Sequence, residues 1–197
     1  MTQQINSILK DIKESGIEFR QERFVIKLTN AREIFTQYMQ LFLSIEQRKL
    51  EWQPEYEEVV NWLSDNKGRG LFLYGDCGRG KSIIVQQVIP SILLKYCGKV
   101  VNVFNIQQMS TKLDEILKRR FISIDDLGTE PPVVNNFGTK RYAFPEIIDV
   151  VEKNSKFVLL TSNLRAAQLK AFYDERTLER IISTTKRIEF KGKSLRQ

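Results

Sequence analysis

The sequence predicts an α/β fold: a five-stranded parallel sheet with helices on both faces, preceded by a short helical N-terminal segment. Short apolar runs alternate with helical patterns along the 197 residues, which is typical of parallel strands joined by crossover helices. A glycine-rich loop also links the first of these runs to a helical pattern. With 42% hydrophobic and 28% charged residues, the chain has the composition of a globular protein.

Two short elements are predicted near the N-terminus. Residues 2–15 fit a polar helix that ends near Gly16. The run Phe24-Val25-Ile26 fits a short strand. Neither element carries a metal-binding or partner-docking signature, so no role for this region is predicted from its residues.

Two longer helices are predicted before the first strand of the sheet. One extends from Asn30 to about Lys49, and Pro54 begins the other, which ends by Gly68. Apolar residues of the first helix recur at three- and four-residue steps, namely Ile34, Phe35, Tyr38, Leu41, Phe42 and Ile45. We interpret this stripe as a core-packing face, with an exposed face that docks a partner as the alternative.

Five apolar runs are predicted to form the sheet. They are residues 70–74, 100–104, 121–124, 157–161 and 187–190. In an open parallel sheet, ligands bind beyond the carboxyl ends of the strands. Because polar motifs follow the first, third and fourth runs, we expect the functional site at that edge.

The polar motif after the first run is a phosphate-binding loop. Gly75-Asp76-Cys77-Gly78-Arg79-Gly80-Lys81-Ser82 follows the pattern G-x-x-x-x-G-K-S, in the strand–loop–helix context that this motif requires. Its glycines let successive backbone N–H groups point at one phosphate chain, and the following helix adds its positive dipole end. Lys81 should reach the β- and γ-phosphates, and Ser82 should bind Mg²⁺. The alternative is a glycine-rich turn with an incidental lysine.

Two carboxylates end the third run. In Phe121-Ile122-Ser123-Ile124-Asp125-Asp126, we expect Asp125 to bind Mg²⁺ beside Ser82. Asp126 is then placed to orient or deprotonate the attacking water. A second acid distinguishes ATP hydrolysis machinery from many P-loop kinases, which need to exclude water. The alternative for Asp126 is a capping or turn aspartate before Gly128.

Asn163 follows the fourth run, in Thr161-Ser162-Asn163. An amide at this position can donate a hydrogen bond to a water molecule or to the γ-phosphate, so Asn163 is a candidate sensor of the nucleotide. The alternative is a helix N-cap.

Arg176 and Arg180 are four residues apart and share one face of a predicted helix. Arginine stabilises the charge that develops on a transferring phosphoryl group, in some enzymes from a neighbouring subunit. The alternative is a pair of solvated arginines that form ion pairs with nearby glutamates.

The composition excludes several kinds of chemistry. The absence of histidine excludes histidine bases, Ser-His triads and histidine-ligated metals. A disulfide between Cys77 and Cys97 is not expected, because one lies in the phosphate loop and the other near the end of the following helix. No signal peptide or apolar span is recognisable, so we expect a cytoplasmic protein without membrane contact. The net charge of +7 is compatible with a nucleic-acid partner or with a solvated basic surface.

Four motifs in order resemble the AAA+ ATPases of the DnaC/IstB helicase-loader type. They are G-D-C-G-R-G-K-S, I-S-I-D-D-L-G-T-E, L-L-T-S-N-L and Y-D-E-R-T-L-E-R-I, and the final F-K-G-K-S-L-R is also similar to how these proteins end. The resemblance covers residues 50–197, which it identifies as an AAA+ ATPase core. Residues 1–49 are then a helical extension that could dock a partner.

The resemblance implies a function as well as a fold. Proteins of this family bind ATP with Mg²⁺, hydrolyse it to ADP, associate side by side through their ATP sites, and help to place a replicative helicase or a transposase complex on DNA. Asn163 matches the first sensor of the family. Arg180 matches the arginine that acts on the ATP of a neighbouring subunit, with Arg176 close by. The family lacks the C-terminal helical lid of other AAA+ proteins, and we expect none here.

Several alternatives stay open. The span between Asn105 and Arg120 has room for one helix, whereas related loaders carry a longer element there that grips single-stranded DNA, so direct DNA contact is not settled. An IstB-like transposition helper and a nucleotide-gated binding module with little hydrolysis are both compatible with the motifs. A small-molecule kinase would need an arginine-bearing lid, and a GTPase would need an Asn-Lys-x-Asp motif, which the sequence lacks.

Overall fold

The computed structural model describes residues 8, 11–12, 14–15, 22–130, 134–136 and 139–195. Its strands are β1 (Gly70–Gly75), β2 (Asn102–Asn105), β3 (Phe121–Leu127), β4 (Val134–Asn136), β5 (Thr139–Arg141), β6 (Phe157–Ser162) and β7 (Thr185–Phe190). The main sheet is wholly parallel, in the order β2-β3-β6-β1-β7, and β4 and β5 pair as an antiparallel hairpin. The predicted five-stranded parallel sheet is therefore confirmed.

The helices lie before, between and after these strands. They are α1 (Ala31–Ile45), α2 (Pro54–Ser64), α3 (81–97), a short 3₁₀ turn (Ile106–Gln108), α4 (Met109–Lys118), α5 (Ala143–Lys153), α6 (Ala166–Phe172) and α7 (Glu175–Thr184). Helix α3 is continuous but irregular, since a π-helical turn (Ile84–Val88) separates its first turn (Lys81–Ile83) from the α-helix Ile89–Cys97.

The sheet separates two apolar cores. Leu71 and Leu73 of β1 face a cluster built from α1, α2 and α3, whereas Phe72 faces a cluster built from α4 to α7. This alternation follows from the two-residue period of a strand. Helices thus cover both faces, as predicted.

Helix α1 contributes to the first cluster through Phe35 and Met39, so the predicted boundary at residue 49 crosses a continuous core. The division into an extension and a core stays a prediction.

The predicted stripe on the first long helix is partly wrong. Ile34 and Phe35 are buried, but Leu41 and Ile45 are 51% and 70% exposed. The buried face instead continues through Met39 and Leu43, and the helix ends at Ile45 rather than near Lys49. Both sets of residues are spaced as on one helix face, and the direction from which α2 and α3 pack decides which set is covered.

The strand predicted at residues 24–26 is absent. Ile26 is fully buried, but its N–H donates to the side-chain oxygen of Asn66 at 2.8 Å, and the amide of Asn66 donates to the carbonyl of Phe24 at 3.1 Å. An asparagine side chain satisfies these backbone groups in place of a neighbouring strand.

Other observed element boundaries differ from the predicted ones by a few residues. Strand β2 begins at Asn102 rather than residue 100, and β7 begins at Thr185 rather than residue 187. Of the helix predicted at 2–15, residues 8, 11, 12 and 14 are helical. The rest of that prediction, with its end near Gly16, lies outside the described residues.

Candidate functional site

The phosphate loop joins β1 to α3 and is shaped by close contacts with other segments. Gly80 is in the left-handed region at φ +88° and directly precedes the first turn of α3. At Gly78, which is also left-handed, a Cβ atom would lie 2.1 Å from the hydroxyl oxygen of Ser194. A side chain at Gly78 is therefore excluded both by its backbone conformation and by the residue that lies on it.

Lys81 bridges the two sides of this loop. Its ammonium donates to the carbonyl oxygens of Gly75 at 3.0 Å and Asp76 at 2.7 Å, and the side chain is buried. Burial lowers the pKa of Lys81, while nearby negative groups such as Asp125 act in the opposite direction. An ammonium has three donors, so two bonds fix its position and one remains for a phosphate oxygen.

Arg79, which was predicted with the rest of the loop, has its side chain turned away from the pocket. The side chain is buried against α2, where Nη2 donates to both carboxylate oxygens of Glu55 at 2.8 and 2.9 Å. Its Nε has no hydrogen-bond partner among the described residues. The backbone of Arg79 shapes the loop, but its guanidinium holds the loop against α2 rather than facing a ligand.

The two predicted acids lie together beyond the end of the regular β3–β6 pairing. The register shifts between Ile124 and Leu127, and Asp126 occupies this bulge with φ +68°. One carboxylate oxygen of Asp125 accepts from Thr161 Oγ1 at 2.5 Å, and the N–H of Asp126 donates to the same hydroxyl at 2.8 Å. Thr161 thus fixes both acids, a role that sequence analysis missed although it quoted this residue in the strand-end motif.

Asn163 lies beside Asp126, as predicted for a residue at the end of β6. Its amide donates to Oδ1 of Asp126 at 2.6 Å, and the side chain lines the pocket at the phosphate loop. The alternative role as a helix N-cap is wrong, because α6 begins at Ala166 with Arg165 as its N-cap. Asn163 is therefore free to act on the pocket and on Asp126.

Gln86 completes the surroundings of Asp125. Its side-chain amide donates to the second carboxylate oxygen of Asp125 at 2.7 Å. Gln86 lies in the π-helical turn of α3, directly before the segment that contains Pro90. Proline lacks an N–H and clashes with the carbonyl four residues earlier, which disfavours regular α-helix at this point. No sequence motif marks a glutamine at this position, so sequence analysis did not identify it.

Ser82 and Asp125 carry the hydroxyl and carboxylate oxygens that could hold Mg²⁺. Ser82 lines the pocket one turn before Gln86 on α3, and Gln86 contacts Asp125. Among the described residues, no group of three or more Cys, Asp or Glu side chains is placed to hold a metal ion. A hydroxyl and one carboxylate, completed by water and phosphate oxygens, match the way Mg²⁺ binds beside phosphates.

Arg176 and Arg180 lie on α7 and are not among the residues that line this pocket. The side chain of Arg180 is 13% exposed, pairs with Asp149, and approaches Glu152 at 3.4 Å. Lys153 and Arg180 lower the pKa of Asp149, as expected for a carboxylate between two cations. Arg176 is exposed on the same helix.

A buried hydrogen-bond chain connects the loop after the two acids to the start of α7. The N–H of Gly128 donates to the carboxylate of Glu130 at 2.6 Å, and the hydroxyl of Tyr173 donates to the same carboxylate. Burial raises the pKa of Tyr173, so the phenol stays protonated and acts as a donor. Asp174, the next residue, caps α7 by accepting from the N–H of Thr177 at 2.7 Å.

The pocket itself is a cleft of about 1050 Å³ beside the phosphate loop. It includes Lys81, Ser82 and Asn163, and it continues to residues in the range 43–51 and to Leu195. Its size is sufficient for a nucleotide.

Over the described part of the chain, no helix is long and apolar enough to cross a membrane.

No protein-family model matches this chain, and no curated protein matches it in sequence. The structure resembles that of the DnaC helicase loader, with a TM-score of 0.59 and 16% identity over 73% of this chain and 94% of that one. It also resembles DnaI, with a TM-score of 0.52 and 21% identity over 83% of this chain and 87% of that one. AMPPCP-bound DnaA from Aquifex aeolicus has a TM-score of 0.52 and 15% identity, over 72% of this chain and 48% of that one. The predicted fold is thus confirmed as that of DnaC-type proteins.

Proposed function

We propose that this protein is a Mg²⁺-dependent ATPase of the AAA+ helicase-loader type that acts in DNA replication. One observation carries the proposal: the phosphate loop and Asn163 line a pocket of nucleotide size, and the two acids lie beside Thr161 and Asn163 at the same edge of the sheet. Lys81 would bind the β- and γ-phosphates, Ser82 and Asp125 would hold Mg²⁺, and Asp126 with Asn163 would position the attacking water. The likeness in fold to the DnaC helicase loader and to AMPPCP-bound DnaA supports the same proposal.

The proposed partners are a replicative helicase and DNA, including single-stranded DNA, and the protein would also associate with itself through the ATP sites. The net charge of +7 supports a polyanionic partner. An IstB-like role beside a transposase has the same chemistry and differs only in the partner. A nucleotide-gated switch with little hydrolysis is the second candidate, because Arg180 is held within its own chain by Asp149.

The test is the rate of ATP turnover per molecule as the protein concentration rises. A rate that climbs with concentration is expected, since Arg176 is exposed outside its own pocket and would act on a neighbour. A substantial rate that is independent of concentration would contradict shared sites. Tight ATP binding without turnover, even with single-stranded DNA and a helicase present, would instead favour the switch.

Substitutions of Arg176 and Arg180 are expected to change different properties, turnover in the first case and stability in the second. Arg180→Ala should lower the free energy of unfolding by about 1–3 kcal/mol, because Asp149 loses a largely buried partner. Arg176→Ala should leave stability and ATP affinity unchanged and lower turnover by about 10³-fold, as for an arginine that acts in trans. Thermal unfolding, calorimetric ATP binding and phosphate release measure the three quantities.

A mixing experiment tests action in trans directly. Arg176→Ala protein has an intact phosphate loop, and Lys81→Ala protein has an intact Arg176, so mixed interfaces contain one complete site. Turnover of the mixture should exceed that of either variant alone. Full activity of Arg176→Ala by itself would remove this residue from the site.

Gln86 is expected to act through Asp125 on the metal. Gln86→Leu should raise the Mg²⁺ concentration needed for half-maximal turnover by about tenfold, because it frees one oxygen of Asp125 to turn away. ATP affinity without Mg²⁺ should not change. Gln40→Leu is the matched control, because Gln40 is exposed on α1 and does not line the pocket. An identical Mg²⁺ dependence of the two variants would show that the contact between Gln86 and Asp125 has no such role.

A further inference from the structure

The residues after β7 lie directly on the phosphate loop. We call residues 191–195 the tail segment. The N–H of Gly192 donates to the carboxylate of Asp76 at 3.0 Å, and the N–H of Leu195 donates to the carbonyl oxygen of Gly78 at 2.9 Å. The tail segment is thus hydrogen-bonded to the phosphate loop at two points along its length.

The buried ion pair between Glu55 and Arg79 also connects the tail segment to the phosphate loop. Glu55 accepts from the N–H of Lys191 at 2.8 Å, and Arg79 donates to the carbonyl oxygen of Lys193 at 3.3 Å. The pair, whose shortest N–O distance is 2.8 Å, is almost completely buried. Burial of a charged pair costs desolvation free energy. Here the pair holds α2, the phosphate loop and the tail segment in one arrangement.

The sheet order decides which end of the pocket the tail segment occupies. Strand β1 lies between β6 and β7, so the acids and Asn163 approach the phosphate loop from one side, and the tail segment approaches it from the other. The γ-phosphate belongs on the side of the acids. The nucleoside of the same ligand then extends toward the tail segment.

Leu195 of the tail segment and several residues in the range 43–51 line the pocket. Arg48 connects them, since its guanidinium donates to the carbonyl oxygen of Leu195 at 3.4 Å. Leu195 is half-buried and offers an apolar side chain beside a loop that otherwise presents polar groups to phosphates. An apolar surface of this kind suits the face of a base.

Building on the proposed function, we propose that the tail segment is part of the nucleotide site. Leu195 and residues 43–51 receive the nucleoside of ATP, and the backbone of the tail segment holds the Gly78 end of the phosphate loop in its binding conformation. Leu195 therefore contributes to the affinity for a nucleoside triphosphate but not to the affinity for a bare chain of phosphates.

The experiment compares ATP with inorganic tripolyphosphate, each with Mg²⁺, by calorimetry on the full chain. Leu195→Ala should weaken ATP binding by about tenfold and leave tripolyphosphate binding unchanged. Leu195→Met, which keeps an apolar side chain of similar volume, should retain the ATP affinity of the unchanged protein. Leu94→Ala is the matched control, because Leu94 is 57% exposed on α3 and does not line the pocket.

A chain that ends at Phe190 should lose affinity for both ligands, since the phosphate loop then loses its bonds to Gly192 and Leu195. Leu195→Ala protein with unchanged ATP affinity, or with an equal loss for both ligands, would overturn the inference and leave the proposed function standing. If the protein without substitutions bound neither ATP nor tripolyphosphate, both the proposed function and this inference would be overturned.

Discussion

Lys81→Ala is expected to weaken ATP binding by at least about a hundredfold, which corresponds to about 2.7 kcal/mol of binding free energy. The ammonium of Lys81 is held by the carbonyl oxygens of Gly75 and Asp76, and its remaining donor faces the pocket. Alanine removes a buried charge that would contact two phosphates, and it also removes the bridge that shapes the loop. Calorimetry with ATP and Mg²⁺ measures the change.

The matched control for this variant is Lys95→Ala, because Lys95 is an exposed lysine on the same helix. It should bind ATP as the unchanged protein does, which excludes a general effect of net charge. Thermal unfolding of both variants separates loss of binding from loss of fold. An ATP affinity for Lys81→Ala within threefold of the control would contradict the assignment of the phosphate site.

The site could be predicted from sequence where a motif fixes both residue type and backbone. The glycine pattern specifies the loop and places Lys81 and Ser82 at the start of α3. Parallel strands end at one edge, so the acids of β3 and Asn163 after β6 had to lie near each other. These relations depend on local order along the chain, which the sequence shows directly.

Contacts between distant segments could not be predicted in this way. Thr161 and Gln86 both hold Asp125, but their roles depend on the register between β3 and β6 and on the irregular turn of α3. The side chain of Arg79 belongs to the loop in sequence, yet a buried carboxylate on α2 turns it away from the pocket. Glu55 carries no local signal, because its partner lies 24 residues away along the chain.

The same limit applies to the apolar face of α1. Spacing showed that one face of the helix is apolar, but both the predicted stripe and the observed buried face satisfy that spacing. Leu41 is exposed and Met39 is buried because α2 and α3 cover a neighbouring part of the helix surface. The orientation of a helix is fixed by what packs on it, and that information lies in other segments.

Asp126→Asn is expected to lower ATP turnover by about 10²- to 10⁴-fold while leaving ATP affinity unchanged. The carboxylate of Asp126 accepts from the amide of Asn163, which lines the pocket, and it is thus placed to accept a proton from a water bound there. Asparagine has nearly the same shape and adopts left-handed backbone readily, so it tolerates the φ of +68° at this position. The amide oxygen can still accept from Asn163. The substitution therefore removes the charge and the basicity of the group without a change in fold.

Asp125→Asn is the comparison that separates the two acids. It should raise the Mg²⁺ requirement, since Asp125 is the predicted metal ligand, whereas Asp126→Asn should keep the Mg²⁺ dependence of ATP binding. Phosphate release at saturating ATP, together with Mg²⁺ titrations of both variants, measures these effects. Full turnover by Asp126→Asn would assign the activation of water to another group. Loss of ATP binding in the same variant would show that Asp126 contributes to the ground state, because a residue that acts only on the attacking water changes turnover and not affinity.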